Sequence, residues 1–198
     1  EEILGNATNL ILQEFYSDNL DATLASLVEG FTINGYTPLY IGERINSVQN
    51  EYSDNYSVIK DCNMIIGEMK DTKSELAKQL LGTAWAIRSI CYYNLLIRFC
   101  EPYNPISAED KLGLPLIDRF DMEAKPSRSD LKTTVSFIEE GFKNAIRYDI
   151  SDTDYIFTSD VAKAYLTKLY FWTQQWEKAI QYAEELLSKY PMLEANQY

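Results

Sequence analysis

The sequence predicts an all-α fold of stacked helical hairpins with long loop insertions. Three observations carry that prediction. Apolar residues recur at helical spacing in almost every segment outside two aperiodic stretches. Glycine and proline, the usual breakers of helices, number only 8 and 6 in 198 residues. The stretch Leu166–Pro191, "LTKLYFWTQQWEKAIQYAEELLSKYP", reads as a helix, a tight joint at Thr173–Gln175 and a second helix closed by proline.

The elements follow in order. Ile3, Ala7, Leu10, Ile11 and Phe15 form a first helical stripe, and Leu20, Leu24, Leu27 and Phe31 a weaker second one. Residues 33–50, "INGYTPLYIGERINSVQN", show no clear period and hold Gly35, Pro38 and Gly42, so a long loop is expected there. Tyr52, Tyr56, Ile59, Asn63 and Ile66 resume the helical period, which Gly67 and the polar "KDTK" end. Thr72 and Glu75 have the spacing of a capping box, in which each side chain satisfies the other's free backbone donor. The helix this opens runs from about Lys73 to Phe99 on a stripe of Leu76, Leu80, Ala84, Ile87, Cys91 and Leu95, and Pro102 and Pro105 stop it. Residues 101–127 are expected to be irregular. Ser127 or Ser129 would then cap a helix carrying Leu131, Val135, Ile138, Phe142 and Ala145. A polar joint, "YDISDTDYIFTSD", leads to Thr158 or Ser159, the start of the final hairpin.

Charge and composition exclude whole classes of function. The net charge is −12, with no histidine. So acidic a chain repels phosphate backbones and anionic membrane surfaces, and no basic stripe interrupts it, so no nucleic-acid partner is expected. No run of 18 apolar residues would span a bilayer. The start, "EEILGNATNL", lacks the layout of a signal peptide, though a chain already relieved of its signal would look the same. Cys62, Cys91 and Cys100 match neither a zinc spacing nor a disulfide framework; as small apolar groups they fit helix packing. Without histidine, zinc sites and nucleophile–histidine pairs are disfavoured, and no phosphate-binding glycine loop occurs. Asp149, Asp152 and Asp154 echo a calcium loop but lack its glycine and distant glutamate, which leaves a solvated joint. Carboxylate pairs abound, and none stands out as a glycosidase pair. Asn6 with Thr8 and Asn55 with Ser57 form glycosylation sequons that matter only in a eukaryotic secretory setting. No catalytic residue, metal site or cofactor is expected.

The final hairpin follows the tetratricopeptide pattern. Leu166 and Tyr170 stand four apart on its first helix, and Ala179 and Ala183 four apart on the second, with Leu186 and Pro191 behind. Two small residues let the helices approach closely, so leucine at either should overpack the hairpin. The usual glycine of the joint is absent, Gln174 and Gln175 standing there instead. Two earlier pairs, about 52–69 with 73–99 and 129–148 with 158–173, have repeat-like lengths. The chain is thus a stack of divergent hairpins, each burying its neighbour's apolar face.

Tyrosine is in excess, at 15. Tyr92, Tyr93, Tyr165, Tyr170 and Tyr182 fall on helices and fit hairpin packing; Tyr36, Tyr40 and Tyr103 fall in the irregular stretches. An exposed aromatic plane is what the apolar C–H face of a sugar ring stacks on, while Asn, Gln and Asp take its hydroxyls. Residues 33–50 hold Tyr36 and Tyr40 beside Asn34, Asn46, Gln49 and Asn50.

Four stretches in the same order resemble the N-terminal, tetratricopeptide-containing part of the SusD/RagB family of outer-membrane nutrient-binding lipoproteins. "YSVIKDCNMII" is similar to the family's aromatic, isoleucine, asparagine motif. "GTAWAIRSICYYNLLIRF" resembles its Ala-x-x-x-Arg-small-x-Tyr-Tyr-x-x-Leu helix through Ala84, Arg88, Tyr92, Tyr93 and Leu95. "GLPLIDRF" with "KPSRSDL" resembles its Gly-x-Pro stretch, Pro-x-Arg and capped helix, and "YLTKLYFWTQQWEKAIQYAEELL" its next helix pair. Two departures stand out: Cys100 replaces a usual glycine after Phe99, and Ser89 a usual alanine after the arginine.

The resemblance implies a divergent tetratricopeptide-like, SusD-like helical domain over 1–198. It implies a non-enzymatic, surface-exposed component that binds oligosaccharide or another nutrient and works with a SusC-like TonB-dependent transporter. The full protein would be lipid-anchored at the outer membrane, with its lipid-bearing cysteine upstream of Glu1. Members are much longer, so this chain is expected to be a fragment whose C-terminal half lies beyond Tyr198. By location, ligand contacts would be Tyr36 and Tyr40 for stacking and Asn46 and Asn50 for hydroxyls. A tetratricopeptide adaptor gripping a peptide or protein partner is the alternative, and an α-helical glycan hydrolase the third reading.

Overall fold

The computed structural model describes residues 45–69, 73–121, 123, 125–151 and 157–192, with side chains from Tyr52 onward. The chain divides into two compact units, Glu1–Asp54 and Asn55–Tyr198, and the packing below is that of the second. Five helices and one two-stranded sheet are present among the described residues: α1 (Ile45–Glu68), α2 (Glu75–Phe99), β1 (Leu112–Pro115), β2 (Arg128–Asp130), α3 (Leu131–Arg147), α4 (Ser159–Trp172) and α5 (Trp176–Lys189). The fold is all-α, as the periodicity requires.

Successive helices run antiparallel. Along α1 and α2, Asn63 meets Arg88 and Tyr56 meets Tyr92. Along α2 and α3, Gly141 lies against Ser89 and Phe137 against Tyr92. Along α3 and α4, Phe142 stacks on Tyr165 and Glu139 bonds Tyr170. Along α4 and α5, Asp160 meets Lys189 and Tyr170 meets Tyr182. Each hairpin is therefore covered by the next, which lets short helices persist that would be marginal alone.

Helix α2 lies at the centre of this unit, packed against both α3 and α4. A helix packed on more than one side buries more than one face, so its burial does not keep to one stripe. Leu81, Ile90 and Leu96, off the predicted stripe, are buried, whereas Leu76 and Leu80 near its start are exposed. Its cap is Ser74, whose hydroxyl accepts from the Ala77 amide at 3.1 Å, and not the predicted Thr72–Glu75 box; Thr72 lies outside the described residues. Glu75 in the first turn and Arg98 in the last suit the helix dipole. Helix α3 packs as its sequence reads: Leu131, Val135, Ile138, Phe142 and Ala145 are all buried. Each large one contributes about 1.5–3 kcal/mol by leaving water.

Three boundaries differ from the sequence expectation. Helix α1 begins at Ile45, inside the stretch 33–50 expected to be a loop. Ile45, Val48 and Tyr52 extend the Tyr56 stripe backward, and no glycine or proline interrupts them after Gly42. Helix α3 is capped by Asp130, which accepts from the Thr133 amide at 2.7 Å, and not by Ser127 or Ser129. Ser129 is occupied in β2, donating to the Leu114 carbonyl at 2.9 Å. Strands β1 and β2 themselves arise within and beside the stretch 101–127 expected to be irregular, pairing antiparallel from Leu112–Asp130 to Pro115–Arg128. A Cβ on Gly113 would stand 2.5 Å from the Asp130 carbonyl oxygen and 2.0 Å from Thr134 Oγ1, so only glycine admits this pairing.

Candidate functional site

Of the four residues singled out for ligand contact, Tyr36 and Tyr40 lie outside the described residues. Asn46 and Asn50 fall in the first two turns of α1, where the backbone alone is described. Asp152 and Asp154 of the calcium-loop echo also lie outside them, and no cluster of three metal-ligating side chains occurs among the described residues.

The most developed polar construction is a buried clamp where α1 and α2 meet the segment after β1. Arg88 is 3% exposed and Asn63 1%. The Arg88 guanidinium donates to Asn63 Oδ1 at 2.7 Å, lies 4.1 Å from the Trp85 ring and 5.3 Å from that of Phe137, and reaches the Asp118 carbonyl at 3.4 Å. Asn63 Nδ2 donates to the Ile117 carbonyl at 2.8 Å. Tyr92 Oη accepts from the Ile117 amide at 2.8 Å and lies 3.2 Å from the same residue's carbonyl. Tyr56 Oη donates to the Pro115 carbonyl at 2.8 Å. Four helical side chains thus satisfy the backbone between Pro115 and Asp118, where the chain leaves the sheet. Burial lowers the Arg88 pKa and pushes the Tyr92 phenol up to about 12. Burial also pushes the neighbouring Cys62 thiol up to about 11, so this cysteine is an inert packing group.

The clamped segment presents a cleft of about 370 Å³, lined by Tyr56, Lys60, Ile117, Arg119, Phe120 and Asp121. Phe120 is 46% exposed. Tyr56 and Ile117 give an apolar floor, Phe120 a free ring, and Lys60 and Arg119 hydrogen-bond donors. In the sequence, Gly113–Phe120 stands out only through the family resemblance and carries no site of its own. The available signal was an aromatic flanked by charges in an aperiodic stretch.

A second concavity, of about 470 Å³, lies along the final hairpin between Tyr93, Phe171, Trp172, Trp176, Ile180 and Ala183. Phe171 and Trp176 meet edge to face at 5.3 Å. Its walls are nearly all apolar and offer few groups to a sugar's hydroxyls, so it suits a protein surface. Tyr103 in the loop after α2 covers this region's edge against Trp172, 6.1 Å away.

The residues behind the family resemblance are those that build the clamp. Asn63, Arg88 and Tyr92 hold Ile117. Arg128 Nε, in "KPSRSDL", donates to the Gly113 carbonyl of "GLPLIDRF" at 2.6 Å. The departures are accommodated: Cys100 has φ −114°, an extended conformation open to any residue, and Ser89 Oγ donates to the Trp85 carbonyl at 2.8 Å.

A SusD-like family profile described as "starch-binding associating with outer membrane" matches residues 6–171, most of the chain. Among solved structures, a SusD superfamily protein from Bacteroides vulgatus is 21% identical with a TM-score of 0.63, over 68% of this chain and 32% of its own. A SusD-like carbohydrate binding protein from the same organism is 23% identical with a TM-score of 0.61, over 73% and 32%. A laminarin binding SusD-like protein is 21% identical with a TM-score of 0.56, over 69% and 29%. This chain therefore spans about a third of the length of these structures. No curated protein sequence matches it.

Proposed function

This chain belongs to the SusD-like family, and from that premise we propose that it is the helical scaffold of a longer surface protein that captures oligosaccharides for import. The observation that carries the reading is the family match across residues 6–171, together with the motif residues' common role in clamping one segment. The protein works without covalent chemistry and passes its ligand to a SusC-like TonB-dependent transporter. It is held at the outer-membrane surface by a lipid on the full-length protein. No helix among the described residues is long and apolar enough to cross a membrane. Tyr36 and Tyr40 supply stacking planes, and Asn46 and Asn50 partners for hydroxyls, at the ligand.

The experiment is calorimetry of the full-length protein against maltoheptaose, laminarihexaose and oligogalacturonate, with affinity purification from outer membranes. Saturable binding of at least one oligosaccharide and co-purification of a barrel transporter are expected. Binding of none, in protein that melts cooperatively, sinks the reading. The adaptor alternative needs a regular array with a continuous groove, and the insertion from Glu101 to Ser127 interrupts any such array here.

A further inference from the structure

We propose that the cleft between α1 and the segment 117–121 is a subsite for a carboxylated sugar residue, with Phe120 stacked on the ring and Arg119 paired with the carboxylate. The inference rests on the oligosaccharide reading above and adds the class of sugar and a location apart from residues 33–52.

The segment carrying Phe120 is preorganised. A half-exposed phenylalanine ring on a loop gains little for stability. Yet the backbone leading to Phe120 is fixed at Pro115, Ile117 and Asp118 by Tyr56, Asn63, Tyr92 and Arg88, the last three almost wholly buried. A loop held this way does not have to order on binding, so the usual entropic cost of immobilising a contact loop is small.

The charges of the cleft do not balance among themselves. Lys60 has a carboxylate beside it, Asp61, at 3.4 Å. The carboxylate of Asp118 acts on the buried Arg88 guanidinium. Asp121 Oδ1 accepts from the Glu123 amide at 2.9 Å and so is partly committed to its own turn. Arg119 alone among the charged residues of the cleft has neither ion pair nor hydrogen bond among the described residues. Its planar fork of five donors matches a carboxylate with two parallel bonds. Lys60 is already paired with Asp61, so the surplus of donors in the cleft is that of Arg119. A neutral sugar, whose hydroxyls donate as readily as they accept, would leave that surplus unmatched. A uronate, whose carboxylate only accepts, uses it. Its ring C–H face still meets Phe120, and the cleft's volume is within the range of small-molecule sites, about 300–1,000 Å³.

The test is calorimetry of the full-length protein with trigalacturonate and, separately, maltotriose. The wild type should bind trigalacturonate, more weakly as salt is raised. Arg119→Gln and Phe120→Ala should each weaken that binding about tenfold, the equivalent of one charge-assisted bond or one stacked ring. Both side chains are exposed, so the melting temperature should not move. Unchanged trigalacturonate affinity in both variants overturns the proposal. So does a wild type that binds maltotriose and ignores trigalacturonate, which leaves the oligosaccharide reading standing. A wild type that binds neither sugar nor any longer oligosaccharide removes both.

Discussion

Arg88→Met puts the buried clamp to its most direct test. Methionine fills much of the volume of arginine's stem and removes the guanidinium. The structure assigns three losses and one gain. The bond to Asn63 Oδ1, at 2.7 Å and from a charged donor, is of the kind that contributes about 1.5–3 kcal/mol. The contact with the Trp85 ring at 4.1 Å, away from water, contributes up to about 2 kcal/mol. The third loss, the bond to the Asp118 carbonyl at 3.4 Å, is long and adds little. Against these stands relief of the cost of burying a cation, which is several kcal/mol before its partners are counted. The deciding term is the orphan: Asn63 is 1% exposed, and without Arg88 its Oδ1 has no donor.

A net destabilisation of about 2–4 kcal/mol follows, read as a lower urea midpoint at unchanged slope. The double variant Arg88→Met with Asn63→Leu removes both partners and should be less unstable than the sum of the two singles by at least about 1 kcal/mol. It will not return to wild type, because Asn63 also holds the Ile117 carbonyl. A midpoint unmoved by Arg88→Met, or strictly additive singles, would refute the clamp as an energetic unit.

Three further outcomes are expected. Gln174 sits at φ 62° in the joint between α4 and α5, a conformation costing an L-residue about 1–2 kcal/mol. Gln174→Gly should therefore stabilise by about 0.5–1 kcal/mol after glycine's greater unfolded freedom is subtracted, and a lower melting temperature would contradict this. For Glu139, burial acts to raise the pKa. The bonds from Lys143 at 2.7 Å and Tyr170 at 2.9 Å outweigh it and hold the carboxyl below its ordinary value. A depressed pKa stabilises above the unfolded-state value, and that contribution is lost as pH falls through the folded one. Glu139→Gln should hence cost about 1 kcal/mol at neutral pH and nothing in acid, so a gap independent of pH would count against the assignment. Ala179 is 6% exposed, and leucine there should overpack the hairpin by about 1–3 kcal/mol. Ala183 is only half-buried and faces the open groove, so leucine there should change stability by less than about 0.5 kcal/mol, contrary to the expectation from the repeat pattern alone. Equal denaturation midpoints for the two variants would exclude this packing.

What the sequence disclosed was set by period. Helix α3 buries one face, and its five spaced residues were legible without a structure. The hairpin α4–α5 was legible for the same reason, down to Leu166 and Tyr170 in its core and the missing glycine at Gln174. Helix α2 was legible as a helix but not in its faces. A segment apolar all round carries no directional signal, so Leu76 and Leu80 read as core and are exposed. The strands were invisible: three and four residues held by Gly113 and Arg128 leave no alternation to detect. The caps of α2 and α3 were misplaced by one to three residues because Ser, Thr and Asp crowd both starts, and only geometry tells which oxygen reaches an amide, whereas Thr158 caps α4 as expected. The cleft depended on pairing Asn63 and Arg88, 25 residues apart, with a carbonyl at Ile117. The motif could be matched by resemblance, but periodicity does not encode which backbone group a buried side chain serves.

Tyr92 and Tyr93 show how one helix serves both surfaces. Adjacent residues on an α-helix point about 100° apart, since 3.6 residues complete a turn. Tyr92 therefore turns toward α1 and the 115–118 segment, fully buried and bonded to Ile117, while Tyr93 turns toward α4, edge to face with Tyr165 at 5.7 Å, and lines the apolar groove. The polar cleft and the apolar groove are thus set against a single rigid element, each through its own tyrosine. Their chemistry differs accordingly. The side facing the clamp spends buried hydrogen bonds on fixing a loop, which is worthwhile only where position matters, as at a ligand. The groove on the hairpin side is lined mainly by rings and small residues, which tolerates a looser, area-driven contact of the kind made between protein surfaces. A paired tyrosine at this position joins the two requirements in two consecutive residues, and neither alone would tie the cleft to the hairpin stack.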